Sequence, residues 1–143
     1  MREKKLERIL YLEDDITLQQ IVNVSLGQVG GYEIKICDSG KNLLEIAKEF
    51  NPNLFLLDIM LPDMSGPSVL GELRKNPDYA DTPAIFISAK FIGHELASYR
   101  KLGVSAIIRK PFDPILLPKI IQAIYEENMD VLSEFDDRSF RLL

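Results

Sequence analysis

The sequence has no tryptophan, and its 143 residues hold a single cysteine, Cys37, and a single histidine, His94. A lone cysteine cannot close an intrachain disulfide, and any zinc site built on clustered Cys and His is excluded with it. The metal chemistry left open is that of oxygen ligands. No apolar run approaches the roughly 20 residues that span a bilayer, and residues 1–5 lead into a strand-like segment rather than a signal-peptide core. A cytoplasmic chain with no membrane partner is expected. An excess of basic charge is also missing: 17 basic against 22 acidic residues leave a net charge of −5, with no local basic patch. Nucleic acid is therefore not an expected partner of this chain. Eight glycines, eight prolines and 46% apolar residues are ordinary for one globular domain.

What is present is a regular alternation. Apolar, β-branched runs recur at 8–12, 33–37, 53–57, 84–87 and 104–108. Leu54-Phe55-Leu56-Leu57 and Ile85-Phe86-Ile87 are apolar at successive positions, as strands buried on both faces are. Helical segments separate them. Thr17 with Gln20 reads as a capping box for the first, which Gly30-Gly31 ends. Ser39 is the expected cap of a second, stopped by Asn51-Pro52, and Ser65 of a third with Pro67 in its first turn. Ile92, Leu96, Tyr99 and Leu102 mark a fourth before Gly103. A fifth follows Asp113-Pro114, with Pro118 delaying its regular part. Five such alternations predict an α/β, flavodoxin-like doubly wound parallel sheet of five strands, order 2-1-3-4-5, with five helices. Residues 1–128 form the expected domain. Residues 129–143, which mix acids with Phe135 and Phe140, are expected to be a C-terminal tail or linker.

In a doubly wound sheet, functional groups collect at the carboxyl ends of the strands. Here those ends are polar: Glu13-Asp14-Asp15 after the first run, Asp58 after the third, Ser88 after the fourth and Arg109-Lys110-Pro111 after the fifth. Carboxylates from adjacent strands suit a hard divalent cation such as Mg²⁺, and a lysine and a hydroxyl beside it complete a phosphoryl-binding site. An acidic turn can instead cap a helix, and Asp58 can make an Asx turn. The conjunction of the acids with Lys110 favours the site.

Asp58-Ile59-Met60-Leu61-Pro62-Asp63-Met64-Ser65-Gly66, with Leu10-Tyr11-Leu12-Glu13-Asp14-Asp15, Ser88-Ala89 and Lys110-Pro111-Phe112, resembles the receiver domain of bacterial two-component response regulators. The resemblance implies that Asp58 accepts a phosphoryl group from a phosphohistidine donor, a histidine kinase or phosphotransfer protein. It implies that Asp14 ligates Mg²⁺ with Asp58, that Glu13 acts near the ion through water, and that Met60 adds only its backbone carbonyl. Lys110 and Ser88 would bind phosphoryl oxygens, Asp15 would serve the helix entry, and a cis Lys110-Pro111 bond is suggested. A downstream output domain or protein would read the switch. Two departures stand out. Ile107 occupies the place three residues before the lysine where the family commonly has an aromatic switch residue, and Lys90 can overhang the site.

Other functions fit less well. A phosphatase using an aspartyl phosphate typically has a second acid two residues after the nucleophile, and Met60 stands there, so a proton donor is missing. A degenerate receiver acting only as a binding module would lack Asp58, Lys110 or the acids. A flavin-binding protein would need a loop rich in Gly, Ser and Thr after the first strand, where this chain is acidic. The expected protein modifies itself and is not a turnover enzyme. His94 is expected to be a solvent-exposed residue without a catalytic task, and Cys37 a small apolar filler.

Overall fold

A computed structural model describes residues 5–89 and 95–143. Lys90, Ile92 and His94, and residues 1–4 of the expected lead-in, lie outside the described residues.

Strands β1 (Arg8–Leu12), β2 (Glu33–Cys37), β3 (Leu54–Asp58), β4 (Ala84–Ser88) and β5 (Val104–Arg109) are parallel neighbours in the order 2-1-3-4-5. Every residue of β3 and β4 is buried, as their unbroken apolar runs require. Alternate residues feed two cores. Ile9, Tyr11, Leu54, Leu56, Ile85, Ile87, Ala106 and Ile108 meet one set of helices. Leu10, Leu12, Phe55, Leu57, Phe86 and Ile107 meet the other. This is the flavodoxin-like α/β fold.

The helices are α1 (Ile16–Val22), α2 (Leu43–Phe50), α3 (Gly66–Arg74), α4 (Leu96–Lys101), α5 (Leu117–Glu126) and a short α6 (Met129–Leu132). Several helix starts differ from the sequence expectation. Asp15 caps α1, at the helix entry where the resemblance placed it, accepting from the Leu18 N–H at 3.1 Å; the capping box expected at Thr17 does not form, and Thr17 lies inside the helix. Asp15 wins because its carboxylate directly precedes the first helical residue. Ser39 does not cap α2. Its hydroxyl accepts from the Lys41 N–H and donates to Asp63, and Asn42, with φ 60°, precedes the helix without a side-chain cap. Ser65 caps α3 as expected, with Pro67 in the first turn. Beyond Val22 the first helix widens to i→i+5 bonding over Asn23–Val29 before Gly30 and Gly31 end it. Asp113 and Pro114 enter a turn, and α5 becomes regular only from Leu117, as Pro118 demands.

The C-terminal segment is ordered against the sheet. Beyond α6, a sixth strand β6 (Phe140–Leu142) pairs antiparallel with β5, Ile107 opposite Arg141 and Ile108 opposite Phe140. Phe140 is buried in the core shared with α5, and Leu132 lies beside it. Short apolar residues spaced through an acidic stretch give neither strand nor helix period, so pairing with the open β5 edge was invisible before the sheet was assembled.

Candidate functional site

Four strand ends meet at one edge of the sheet. The parallel register sets Leu12 beside Leu57 and Asp58 beside Ile87, and Ser88 beside Arg109, so the residues that follow converge. The third and fourth strands run one residue further than expected, which makes Asp58 and Ser88 their last residues.

Asp58 is only 6% exposed. One of its oxygens, Oδ1, accepts from the Met60 N–H at 3.1 Å, and Oδ2 from the Lys110 ammonium at 2.6 Å. The helix that follows approaches from below. A Cβ on Gly66 would sit 2.3 Å from the Asp58 carbonyl oxygen, so only glycine lets α3 start against the Asp58 backbone. The Gly66 N–H then closes the intervening loop on Ile59 O at 2.8 Å.

Glu13 is buried more completely, at 1% exposure. Its Oε1 accepts from Lys110 Nζ at 3.0 Å and from the Tyr11 hydroxyl at 3.0 Å. The Asp15 N–H lies 3.3 Å from Oε2, and Gln19 Nε2 donates to the Glu13 carbonyl at 2.6 Å. Burial pushes the Glu13 carboxyl above its ordinary value; the Lys110 ammonium opposes this and the Asp58 charge adds to it. For Lys110, burial acts downward, but the hydrogen bonds and charges of Asp58 and Glu13 outweigh it and hold the ammonium above its ordinary range. Burial, then the Glu13 charge, raises the Tyr11 phenol, which stays a donor.

Carboxylate oxygens of Glu13, Asp14 and Asp58 lie within 4.8 Å of one another. Asp14 is exposed while its two companions are buried, so the cluster opens to solvent on one side. Three hard oxygen donors in this arrangement fit a divalent cation that retains part of its water. Asp15 stands outside the cluster, its side chain engaged at the α1 cap. Met60 turns its side chain outward, 80% exposed, which leaves its backbone as the part available to the site.

The structure therefore brings Glu13, Asp14, Asp58 and Lys110 together, and sets Ser88, 7% exposed, at the adjoining strand end with its carbonyl accepting from the Lys110 N–H at 2.8 Å. The Lys110-Pro111 bond is cis. Ile107 is fully buried on the opposite face, in the core with Phe86, Leu96 and Tyr99, away from the carboxylates. Two supporting residues were not singled out from sequence. Tyr11 offered one signal, a hydroxyl inside an apolar strand two positions before Glu13, where alternation puts both on one face. Gly66 offered only its place after the Ser65 cap.

These features define a doubly wound α/β protein with an acidic, lysine-bridged site at the strand ends. Residues 9–122 match the response regulator receiver domain family, and the chain belongs to it. It is 31% identical over 127 residues to a probable transcriptional regulator, ycf29, of Pyropia yezoensis, covering 89% of this chain and 56% of that one. The chain spans about half the length of the curated relatives it matches. Its backbone is similar to the chemotaxis protein CheY4 of Vibrio cholerae, with TM-score 0.77 at 23% identity, over 84% of this chain and 99% of that one. The Mn²⁺-bound response regulator Rcp1 is also similar, with TM-score 0.66 at 26% identity over 82% of this chain and 91% of that one.

Proposed function

We propose that this receiver domain takes a phosphoryl group from a phosphohistidine donor onto Asp58 and uses the modification to switch a partner-binding surface. The observation that carries the reading is the meeting of Glu13, Asp14, Asp58 and Lys110 within hydrogen-bond and ligand distance. A carboxylate approaching an anionic phosphoryl group needs its repulsion offset in fixed geometry. In the proposed step an Asp58 carboxylate oxygen bonds to phosphorus as the P–N bond to the donor imidazole breaks, and the electron pair leaves with the ring nitrogen. Lys110 follows one phosphoryl oxygen and the Ser88 hydroxyl donates to another. Asp14, Asp58 and the Met60 carbonyl would hold Mg²⁺, with Glu13 beside it. The ion supplies positive charge next to the transferred group.

The similarity to a regulator whose structure holds Mn²⁺ supports the metal assignment. With Met60 two residues after Asp58, no side-chain acid stands there to protonate an external leaving group, which supports self-modification over turnover. Ile16 directly after Asp15, Ile115 directly after Pro114 and Met60 two residues after Asp58 are each strongly exposed, and would offer apolar contacts to an approaching kinase or phosphotransfer protein. The relatives include a probable transcriptional regulator and a DNA-binding response regulator, each matched over about half its length, so the readout is proposed to pass to an output domain or protein. The net charge of −5 supports a chain that acts in the cytoplasm without itself binding nucleic acid.

Treatment with acetyl phosphate and Mg²⁺ tests this. Intact mass is expected to show one phosphoryl adduct that disappears in Asp58→Ala. An adduct that survives the substitution, or none on the unaltered protein, overturns the assignment.

A further inference from the structure

Glu13 is a fully buried carboxylate with three donors, and they are not equivalent. Lys110 divides its ammonium between Glu13 and Asp58, sitting closer to Asp58, at 2.6 Å against 3.0 Å. The Asp15 N–H is long, at 3.3 Å. Tyr11 is different in kind: its hydroxyl donates to Glu13 Oε1 at 3.0 Å from a ring that is fully enclosed in the core between the sheet and its helices. Because residues two apart on a strand share a face, the hydroxyl reaches the carboxylate with no loop between them. A lysine that turns toward a phosphoryl oxygen on Asp58 lets go of Glu13, and the tyrosine is then the donor that keeps the buried carboxylate in place.

We infer that Tyr11 is a positioning residue of the cation site, its hydroxyl holding Glu13 in the orientation that joins it to Asp14 and Asp58. The inference rests on the receiver reading and extends it from the acids to the strand interior. Phenylalanine at this position keeps the ring in the core and removes only the hydrogen bond. A hydrogen bond to a charged group sets the expected loss at roughly tenfold in affinity.

The test is a Mn²⁺ titration followed by water-proton relaxation on the unaltered protein, Tyr11→Phe, Glu13→Gln and the double variant. Tyr11→Phe is expected to weaken Mn²⁺ binding about tenfold. In the Glu13→Gln background the same change should add less than about twofold, since partners that act through one contact are not additive. Phosphorylation by acetyl phosphate should show a raised Mg²⁺ half-saturation in Tyr11→Phe rather than a lowered rate at saturating Mg²⁺. Phe55→Leu, a change in the other core, controls for lost packing and should leave Mn²⁺ affinity alone. Equal Mn²⁺ affinity in Tyr11→Phe and the unaltered protein, additivity in the double variant, or an equal loss in Phe55→Leu overturns the role of Tyr11 while leaving the receiver reading intact. An unaltered protein that binds no Mn²⁺ overturns the metal assignment and this inference together.

Discussion

The surroundings of Glu13 work against its charged form. It is buried, it faces Asp58, and its carboxyl is raised from the ordinary 4.5 chiefly by desolvation. A folded state that binds its proton more tightly than the unfolded chain loses stability as pH climbs through the interval between the two values, and the deficit persists above it. Lys110 works with the opposite sign: its raised value contributes stability that is complete below the unfolded value, about 10.4, and is lost only as pH rises through the folded one. Near neutral pH, therefore, Glu13 is the costly member of the cluster and Lys110 the compensating one. Glu13→Gln is expected to stabilise the metal-free protein by about 1 kcal/mol at pH 7 while weakening cation binding. Thermal melts at pH 7 and pH 4 check this, because the advantage should shrink toward zero once the unaltered Glu13 is protonated in both states. An advantage that persists at pH 4 would place its origin in packing rather than charge.

Among the elements, β6 changes the molecule most relative to a plain five-stranded sheet. A parallel sheet ending at β5 would expose a row of unpaired backbone groups beside Ile107 and Ile108. Instead the Arg109 N–H donates to Ser139 O at 2.9 Å, and the Leu143 N–H donates to Ser105 O at 3.0 Å, sealing that edge. Three strand residues are few, so the pairing depends on the anchor that Phe140 buries against the α5 side of the core. Phe140→Asp should detach β6, costing roughly 2–3 kcal/mol from the lost burial of one aromatic side chain. Amide exchange is the direct readout. The Arg109 N–H should exchange much faster in the variant, while amides in the central β3 keep their protection. The register of β5 bears on the same region. The pairing shifts between Ala84 and Ile85, so that Ala84 lies opposite Val104 and Ile85 opposite Ala106, and Val104 joins one core while Ala106 joins the other. That offset sets Ile107 among Phe86, Leu96 and Tyr99 instead of on the α5 side.

On the scale of the whole molecule, the site sits at the carboxyl edge of the sheet, whereas Ile107 is buried within β5 in the core with Phe86, Leu96 and Tyr99, and β4 stands between β5 and the β3 strand that carries Asp58. Tyr99 stacks edge-on against Phe86 with ring centroids 4.9 Å apart, and its hydroxyl bonds to Glu95, so α4 is tied to β4 and to its own first turn. A β-branched aliphatic at 107 has no ring to swing and is stiff at χ1. Occupation of Asp58 is therefore expected to act through Ser88 and the segment that leads from β4 into α4. Beryllofluoride with Mg²⁺, as a phosphoryl mimic, should give its largest amide shifts within residues 88–103 and a weaker one at Ile107. Largest shifts at residues 105–109, with residues 88–96 unmoved, would reverse the direction of that relay.

The alternation of apolar runs and capped segments, read along the chain, was enough for the parallel doubly wound sheet and the polar strand ends, because burial on both faces forces apolar continuity within strands and leaves chemistry only where the strands stop; the order 2-1-3-4-5 comes from one of the two common doubly wound patterns and is the one the structure has. Asp58 and Lys110 were legible for that reason: each closes or follows an otherwise apolar run. Local competition decided what was not. Two caps could be read before α1, Asp15 from the resemblance and Thr17 from the capping-box spacing, and Asp15 takes the place; Ser39 turns to Lys41 and Asp63, and such choices between neighbouring oxygens differ by little energy and are settled by where the loop ends lie. The bond from Tyr11 to Glu13, the contact that requires glycine at position 66 and the docking of β6 on β5 depend on distances across the assembled sheet. Periodicity specifies which side of an element is buried; only the packed structure determines which polar atom finds a partner inside it, since each buried donor or acceptor must be satisfied by whatever the fold brings within reach.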